Sequence, residues 1–422
     1  MELNEPSAKY LVLARYKQTE YGLIPVDWCI QGLGAVAECY GGLTYSPRDV
    51  RPYGNLVLRS SNIQGGRLAF DDCVFVDMEL PPRVITQKND LLVCVRNGSR
   101  NLIGKCALID ESTAGSAFGA FMAVLRSESS IFLRHVFQSE QVKQQINERM
   151  GATINQITNR DMAEFEVVWP SDAEERTQIG RTLSDFEMLI ESLELLLAKK
   201  RQIKQGAMQE LLTGQRRLPG FSGNWKSELI GSIADVKTGP FGSSLHESDY
   251  VDDGTPIVTV EHLGEFGLTR QNLPMVSVSD RQRLRAYELE AGDIVFSRVG
   301  SVDRNALVRP DEAGWLFSGR LLRVRPSRSR VVPEFLSYQF HSEPFKASVL
   351  SVAVGQTMAS LNTSILKGLV VALPALDEQT AIATILSDMD TEITALEARL
   401  IKARQLKQGM AQALLTGRIR LV

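Results

Sequence analysis

The chain has 422 residues, of which 47 are Lys or Arg and 50 are Asp or Glu, so its net charge is −3. This length predicts two or three domains, and 44% apolar with 23% charged residues excludes a disordered, collagen-like or disulfide-scaffold protein. A nucleic-acid-binding domain often has an isoelectric point above about 9. The value near 6.0 for this chain therefore gives no support to DNA binding, and any such function has to be read from the organisation of the chain.

The cellular compartment is predicted from the start of the chain, its apolar runs and its cysteines. Met1–Pro6 is acidic and polar, unlike a signal peptide. The longest apolar run, Leu366–Leu376, falls short of the roughly 20 residues that span a bilayer. The cysteines are odd in number and lack CxxC spacing, which argues against a disulfide framework and a zinc knuckle; they are Cys29, Cys39, Cys73, Cys94 and Cys106. We therefore expect a cytoplasmic protein that does not contact a membrane.

The first part of the chain is predicted to be a mixed α/β head. Gly32–Ala37 matches the GxGxxA dinucleotide fingerprint, but no convincing strand precedes it, so a short packed helix is the better interpretation. A strand is expected at Leu56–Leu58. The apolar runs Leu91–Val95 and Lys105–Ile109, which flank a polar loop, predict a β-hairpin. A helix is expected over Ile131–Arg149.

A long helix is predicted to follow this head. From Ile179 to Leu197 the apolar residues recur in steps of four and three, which is the seam pattern of a coiled coil. Ser171–Glu174 can form a capping box at its start, and Gly214 lies where a left-handed C-terminal cap is expected. An amphipathic helix lying on a globular core is the alternative, and it is weaker because the pattern is long and strictly phased.

A second mixed α/β head is predicted after the long helix. A strand is expected at Pro256–Val260, and the runs Ile294–Ser297 and Asn305–Val308 again flank a polar loop. Val332–Val349 is expected to be helical. Glu228–Ala234 corresponds to the GxGxxA segment of the first head but lacks its first glycine, which weakens the dinucleotide interpretation further.

A second long helix repeats the first one. Ile382–Leu421 matches Ile179–Leu218 without a gap, at an offset of 203 (421 minus 218), and roughly half of the positions are identical, far above chance. Asp377 and Gly417 are expected to cap it. The predicted seam residues of the two helices are Ile179, Leu183, Phe186, Ile190, Leu193, Leu197, Ile382, Leu386, Met389, Ile393, Leu396 and Leu400. Two such helices in one chain pair most simply with each other. We expect an antiparallel pair, because the second head has to connect the end of the first helix to the start of the second.

The heads repeat more weakly than the helices. Trp28 recurs as Trp225, and Val95–Ser99 is echoed by Ser297–Ser301. The fold class we expect is therefore α+β, with two similar mixed α/β heads separated by two long antiparallel coiled-coil-like helices in a pseudo-two-fold arrangement. Similar heads held at a fixed distance resemble proteins that read two half-sites on a duplex.

The sequence carries no recognisable catalytic or metal-binding motif. It has no P-loop, no GxSxG elbow and no Asn/Asp-Pro-Pro-aromatic run, with which amino-methyltransferases hold a target base. His135, His246, His262 and His341 are scattered without metal-ligand spacing. We therefore expect no catalytic residue and no metal site in this chain.

Two duplicated motifs point to a known family. The helix ends Lys204–Gly214 and Lys407–Gly417 form one pair, and Gly22–Trp28 and Pro219–Trp225, which lead into the heads, form the other. Together they resemble the specificity subunit of type I restriction–modification systems, over essentially the full chain. The resemblance implies a first target recognition domain at 1–170, a central conserved helix at 171–218, a second target recognition domain at 219–374 and a C-terminal conserved helix at 375–422.

The resemblance implies a non-catalytic DNA reader of a bipartite, asymmetric target. Each recognition domain would read one half of a site in double-stranded DNA. The long helices would set the gap and dock two methyltransferase subunits, and restriction subunits would join to form the nuclease. S-adenosylmethionine is expected in the methyltransferase and no cofactor in this chain. An orphan DNA reader, or a helix-spaced protein-binding scaffold without a methyltransferase partner, remains an open alternative.

Recognition domains of this family diverge too widely for base-reading residues to be carried over, so we rank candidates by chemistry. Base edges are read by charged, amide and hydroxyl side chains on loops or strands that enter a groove. The candidates are Tyr45, Arg48, Arg59, Asn62, Arg96, Asn97, Ser99, Arg100 and Asn101 in the first head, and Ser243, Ser244, His246, Glu261, His262, Arg298, Ser301, Arg304 and Asn305 in the second. Arg96 and Arg298 are favoured because both lie at the same edge of a predicted hairpin, where phosphate binding is as plausible as base reading. The alternative for each candidate is a solvated loop side chain or a local ion pair.

Basic residues also cluster toward the C-terminal ends of the long helices. They are Lys199, Lys200, Arg201 and Lys204 in the first helix, and Lys402, Arg404 and Lys407 in the second. Cations there complement the helix dipole, which is a sufficient explanation. Contact with DNA phosphates or with an acidic partner surface is the alternative.

Overall fold

The computed structural model describes residues 15–150, 155–240, 245–265, 267–353 and 360–421. The chain divides into two compact units. Unit 1 consists of Met1–Glu194 and Ala398–Val422, and unit 2 consists of Leu195–Glu397. Each unit therefore contains one head together with a part of each long helix.

The head of unit 1 is built mainly from short strands. In chain order the strands are β1 (Tyr16–Thr19), β2 (Gly22–Pro25), β3 (Trp28–Gly32), β4 (Glu38–Gly41), β5 (Val50–Arg51), β6 (Asn55–Leu58), β7 (Ile63–Gln64), β8 (Arg67–Leu68), β9 (Val74–Val76), β10 (Leu91–Cys94), β11 (Cys106–Leu108), β12 (Ala117–Phe118), β13 (Met122–Arg126) and β14 (Glu166–Pro170). The helices are α1 (Ser130–Phe137), α2 (Glu140–Arg149), α3 (Asn159–Glu164) and the long α4 (Ala173–Leu211), which continues into unit 2.

Two four-stranded sheets form the centre of this head. The first has the order β11-β10-β13-β4 and is antiparallel, and the second has the order β12-β6-β9-β5, with β12 parallel to β6. β10 is buried on both faces, because Leu91 and Val93 lie in the core that includes α1, whereas Leu92 and Cys94 lie in the core of the second sheet. This two-sided burial explains why β10 has a continuous apolar sequence and not an alternating one.

Unit 2 repeats the same arrangement. Its strands are β15 (Lys226–Leu229), β16 (Ala234–Thr238), β17 (Tyr250–Val251), β18 (Thr255–Val258), β19 (Met275–Val276), β20 (Ile294–Ser297), β21 (Asn305–Leu307), β22 (Leu316–Phe317), β23 (Leu321–Pro326) and β24 (Val370–Leu373). Its helices are α5 (Ile230–Ile233), α6 (Val278–Arg283), α7 (Pro333–His341), α8 (Glu343–Val352), α9 (Thr363–Lys367) and the long α10 (Leu376–Leu414), which continues into unit 1. The sheets have the orders β16-β23-β20-β21 and β17-β19-β18-β22, with β18 parallel to β22. The repeated mixed α/β head is therefore confirmed.

The predicted hairpins are confirmed, whereas each predicted head helix is interrupted. β10 pairs antiparallel with β11, and β20 pairs antiparallel with β21. In place of one helix over Ile131–Arg149 there are α1 and α2, because the hydroxyl of Ser139 accepts a hydrogen bond from the amide of Val142 and caps a new helix. The predicted helix Val332–Val349 is split into α7 and α8, with Pro344 in the first turn of α8, where its missing N–H costs nothing.

The GxGxxA segment is a packing turn. It contains a short 3₁₀ helix, Leu33–Ala35, with Leu33 fully buried, so the predicted short helix is confirmed. β3 does precede it, contrary to the sequence interpretation, and pairs with β14. A Cβ at Gly34 would lie 3.0 Å from the Cβ of Ala163 in α3. The glycine therefore allows close packing of the turn against α3.

The predicted N-terminal caps of the long helices are wrong in detail, and the predicted C-terminal caps are confirmed. The Asp172 carboxylate, not a box formed by Ser171–Glu174, accepts the amide hydrogen of residue 174 (3.0 Å) at the start of α4. Asp377 is the second residue of α10 and therefore lies inside the helix. Gly214 and Gly417, just beyond the helix ends, both have a φ of 69°. This left-handed conformation suits glycine because it has no Cβ.

In unit 1 the long helices run antiparallel. Glu187 of α4 accepts a hydrogen bond from Lys407 of α10 (2.7 Å), and Glu194, two turns further along α4, accepts one from Arg404 (2.6 Å). The partner numbers fall along α10 as the residue numbers rise along α4, which defines the antiparallel direction. Arg404 and Lys407 of α10 thus bind carboxylates of α4.

The helices of unit 2 pair in the same direction. Lys200 binds Glu392 (2.7 Å), and Lys204 binds Asp390, which also accepts a hydrogen bond from the hydroxyl of Tyr338 (2.7 Å). Lys204 is only 5% exposed, so this cation lies within the seam. Basic residues in both helices are therefore held by cross-helix ion pairs, a role that neither sequence interpretation of these clusters had included.

The predicted seam residues are withdrawn from solvent, but Ile179 and Leu183 belong to the core of the first head and Ile382 and Leu386 to that of the second, as the alternative of a helix lying on a globular core predicts. Ile179, Leu183, Leu193, Leu197, Ile382, Leu386, Leu396 and Leu400 are buried, and Phe186, Ile190, Met389 and Ile393 are half-buried. Apolar contacts between two antiparallel helices account for the four-and-three spacing of the other seam residues.

Candidate nucleic-acid interface

In unit 1 the loop after β10 and the turn before β13 form one edge. The amides of Val95 and Arg96 donate hydrogen bonds to the carbonyl of Phe121 (3.0 and 3.2 Å), which ties the turn to the end of the strand. The guanidinium of Arg96 lies 5.0 Å from the centre of the Phe121 ring, and Phe121 is 55% exposed. The edge thus presents a cationic and an aromatic surface side by side, stabilised by cation–π attraction.

The turn after β6 contacts the same loop. The amide nitrogen of the Asn97 side chain donates to the hydroxyl of Ser60 (3.0 Å), and Nζ of Lys105 donates to the carbonyl of Ser60 (3.4 Å). In this turn Arg59 forms an ion pair with Asp72 (2.7 Å). The structure therefore brings the candidates Arg59, Arg96 and Asn97 together and adds a cation, Lys105, that lies beside them.

The remaining candidates of unit 1 are placed differently. Tyr45 is half-buried and packs against the core of the second sheet, and Arg48 is exposed in a 3₁₀ helix that precedes β5. Ser99, Arg100 and Asn101 are exposed in the loop after β10. The guanidinium of Arg100 donates to the carbonyl of Asn147 (3.0 Å), which directs it toward α2.

The equivalent edge of unit 2 carries a different set of side chains. The guanidinium of Arg304 donates to the carbonyl of Leu263, and that of Arg298 donates to the carbonyl of Gly319 (3.5 Å). Arg320, in the turn before β23, is exposed. The candidates His246, Glu261 and Ser301 are also exposed, whereas Ser243 and Ser244 lie outside the described residues.

The two favoured arginines are not structural equivalents. The side chain of the last residue of β10 donates to the carbonyl of Arg96 (3.6 Å), and that of the last residue of β20 donates to the carbonyl of Val299 (3.0 Å). Val299 is therefore the counterpart of Arg96, and Val95 is the counterpart of Arg298. The sequence echo pairs Arg96 with Arg298, one residue out of the register that these hydrogen bonds define.

Three candidates are buried and cannot contact a ligand. Asn62, His262 and Asn305 are at most 4% exposed. The side chain of Asn62 accepts a hydrogen bond from the amide of Arg59 (2.9 Å), and Nδ1 of His262 accepts one from the amide of Thr259 (3.2 Å), so both close the same turn in the two heads. The side chain of Asn305 donates to a backbone carbonyl two residues away (3.3 Å). Asn62 and His262 thus satisfy backbone groups of their turns, which is a structural role, whereas the buried Oδ1 of Asn305 has no hydrogen-bond partner among the described residues.

Sequence reasoning missed three residues of the two edges. Phe121 looks like a core residue in the sequence, Lys105 is the first residue of the predicted strand Lys105–Ile109, and Arg320 belongs to no predicted element. Their position between strands could have revealed Phe121 and Arg320. Both lie in short turns, where a side chain is not required to alternate between the two faces of a sheet and can face the solvent.

Titratable groups near the edge of unit 1 do not form a reactive site. Burial raises the pKa of the thiols of Cys94 and Cys106, which keeps both protonated. Over the described ranges no group of His, Cys, Asp and Glu side chains could hold a metal ion. The helices within those ranges include none that is long and apolar enough to cross a membrane.

Comparison with known proteins gives consistent relatives. The specificity subunit of the type I restriction enzyme EcoKI from Escherichia coli (strain K12) is 23% identical to this chain, over 93% of this chain and 89% of its own length. The specificity subunit of StySPI from Salmonella potsdam is 24% identical over the same shares of the two chains.

Solved structures with a similar fold include specificity subunits. The type I restriction–modification S subunit from M. genitalium has a TM-score of 0.59 at 16% identity and covers 94% of this chain and 97% of its own. A chain from work on complex assembly and conformational transition of the type I R-M system has a TM-score of 0.52 at 18% identity and covers 94% and 99%. The family model of the type I restriction modification DNA specificity domain matches twice, at residues 25–205 and 222–404. Since these matches cover both heads and most of both long helices, the chain belongs to the type I restriction–modification DNA specificity family.

Proposed function

We propose that this chain is the non-catalytic DNA-recognition subunit of a type I restriction–modification complex and reads a bipartite, asymmetric DNA target. The observation that carries the proposal is one head built twice, with cations at the same strand-end edge in each copy. They are Arg96 and Lys105 in unit 1 and Arg304 and Arg320 in unit 2. Cations held on loops can neutralise phosphates and read base edges, even in a chain of net charge −3.

The two heads read different half-sites. Phe121 and Ser60 of the first edge are replaced by Arg320 and Val260 at the equivalent places of the second. Unlike sets of donors and apolar groups prefer unlike base pairs in the major groove. The complete target is therefore asymmetric, and the long helices set the number of base pairs between its halves.

The long helices also dock two methyltransferase subunits. Outside the seam, α4 exposes Met188, Leu189, Leu195, Leu196 and Ile203, and α10 exposes Ile401 and Leu406. Leu189, Leu196 and Ile203 are seven residues apart and so share one face of α4. Exposed apolar residues on a helix whose other face already has a partner support a contact with another protein. S-adenosylmethionine is held by the methyltransferase, restriction subunits complete the nuclease, and the complex acts in the cytoplasm.

A protein-binding scaffold that does not read DNA is the second candidate, and the exposed apolar face of α4 supports it. One experiment separates the two candidates. Methylated adenines are mapped in the host genome with and without this gene, and the chain is purified from the same cells. DNA recognition predicts methylation at one bipartite, asymmetric sequence that disappears with the gene. Co-purification of a methyltransferase with unchanged methylation would favour the scaffold, and a palindromic site would contradict reading by two unlike heads.

A further inference from the structure

The two edges carry an arginine and an apolar side chain in exchanged places. In unit 1 the strand-end residue is Arg96 and the turn residue is Phe121, whereas the equivalents in unit 2 are Val299 and Arg320. The turn residues are equivalent because their carbonyls accept the amide hydrogen of the first residue after β10 and after β20 (3.0 and 2.9 Å). The arginine thus comes from the strand end in one head and from the turn in the other.

These two arginines are available to a ligand. Arg96 and Arg320 are exposed, and among the described residues neither guanidinium has a hydrogen-bond or ion-pair partner. Arg59 is already paired with Asp72, and Arg304 already donates to a backbone carbonyl. A guanidinium that already makes such a contact is oriented by it and has fewer of its five N–H donors left for a base, whereas an unbound one keeps all of them.

The backbone around both arginines is held in place before any ligand arrives. In unit 1 the hydrogen bonds to the Phe121 carbonyl join the turn to the central strand of a buried sheet, and the ring of Phe121 supports the guanidinium plane at 5.0 Å. Such support lowers the entropy lost when the side chain binds.

We propose that Arg96 in the first head and Arg320 in the second are specificity-determining residues that each bind a guanine, and that Phe121 positions Arg96 and contacts the methyl group of a neighbouring thymine. The inference rests on the proposed function and adds the residues that read the target. The planar fork of an arginine matches O6 and N7 of guanine, and an aromatic side chain can contact the thymine methyl. Because the arginines come from different elements, the two guanines occupy different positions within their half-sites.

The test is a selection from a randomised duplex library with the purified complex of this chain and its methyltransferase. Arg96→Ala should lose the preference for one guanine in one half-site by roughly 5- to 150-fold and leave the other half unchanged. Arg320→Ala should do the same in the other half. Phe121→Ala should weaken the base preference at two neighbouring positions of the first half-site. Arg83→Ala, which removes an exposed arginine from another loop of the first head, is the matched control and should keep both halves.

Arg96→Lys gives an independent readout, because it keeps the charge and loses the bidentate fork. It should behave like Arg96→Ala in base preference while retaining the salt dependence of the wild type. If both alanine variants keep both half-site preferences, the inference is wrong. Uniform weakening on all sequences by Arg96→Ala, with a salt slope lower by about one, would identify a phosphate contact and also overturn it. A wild-type complex without any sequence preference would contradict the proposed function instead.

Discussion

Removal of the Arg420 guanidinium is expected to destabilise unit 1. The carboxylate of Glu175, in the first turn of α4, is fully buried. Arg420, in the segment after α10, binds it with one N–O distance of 2.8 Å and also binds the carboxylate of Asp27 (2.9 Å). The indole N–H of Trp28 donates to Glu175 as well (3.0 Å). Arg420→Ala therefore leaves a buried carboxylate that, among the described side chains, keeps only the neutral indole donor of Trp28.

The magnitude follows from the burial of the two partners. Breaking a buried ion pair by removing one partner costs about 3–5 kcal/mol, because the remaining charge is left in a medium of low dielectric constant. The side chain of Arg420 is 28% exposed, so water can reach the site in the variant. We therefore expect the lower end, about 3 kcal/mol. Adding Glu175→Gln removes the stranded charge and should recover most of that loss.

Hydrogen exchange is the suitable assay, because it gives an opening free energy for each amide, and a chain with two units need not unfold in one step. Amides of β3 and of the first turns of α4 should lose protection, while those of β20 in unit 2 should keep it. Arg418→Ala removes an exposed arginine from the same segment and is the matched control. A loss below about 1 kcal/mol, or one equal to that of the control, would refute the reasoning, because an exposed pair contributes no more than that.

Four further outcomes are expected. Replacing Ile190 and Leu193 together by Asp places charge in the seam and should cost several kcal/mol; unchanged thermal stability and assembly would reject the helix pairing. Burial lowers the pKa of His135 in the folded protein to about 4, whereas a histidine in the unfolded chain has a pKa near 6.5. As the pH falls, the unfolded chain therefore binds this proton before the folded protein does. The free energy of unfolding should therefore fall by up to roughly 3 kcal/mol as the pH drops from 6.5 to 4, and His135→Gln should flatten that part of the pH profile. Isothermal titration of the purified chain with S-adenosylmethionine should show no binding, and saturable micromolar binding at one site would overturn the non-catalytic assignment. Exchanging residues 44–165 for the recognition domain of a relative should change one half of the methylated sequence, and a change in both halves would contradict independent reading.

The framework of this protein was determined by patterns that are local in the sequence. The four-and-three spacing from Ile179 to Leu197 recurs at a constant offset, so the long helices and their antiparallel pairing could be predicted, although the first turns of each helix pack on a head and not only on the other helix. The hairpins could be predicted because β10 and β20 are continuous apolar runs next to polar loops. Each of these signals depends on residues within a few turns or strands of one another, and such periodicity is visible without coordinates.

Which side chains are available for recognition could not be predicted from the sequence. Asn62 and His262 look like base readers in the sequence, yet each is satisfied by backbone groups of its own turn and is buried. Phe121 looks like a core residue, yet the turn that carries it leaves the ring at the surface. Periodicity shows where a strand runs, but it does not show whether a polar side chain will find buried partners.

Long-range pairing also had to come from the structure. Unit 1 combines the first head with the segment after α10, and its buried carboxylate Glu175 is neutralised by Arg420, 245 residues away. The same holds for the edges, where strand register makes Val299, not Arg298, the counterpart of Arg96. The duplicated heads and helices could be predicted from the sequence, because each is encoded by contiguous residues. Which arginines stay exposed and unbound could not be predicted, because it depends on contacts between segments that are distant in the chain. These contacts are ion pairs, hydrogen bonds to backbone carbonyls and a strand register that differs by one residue from the sequence echo.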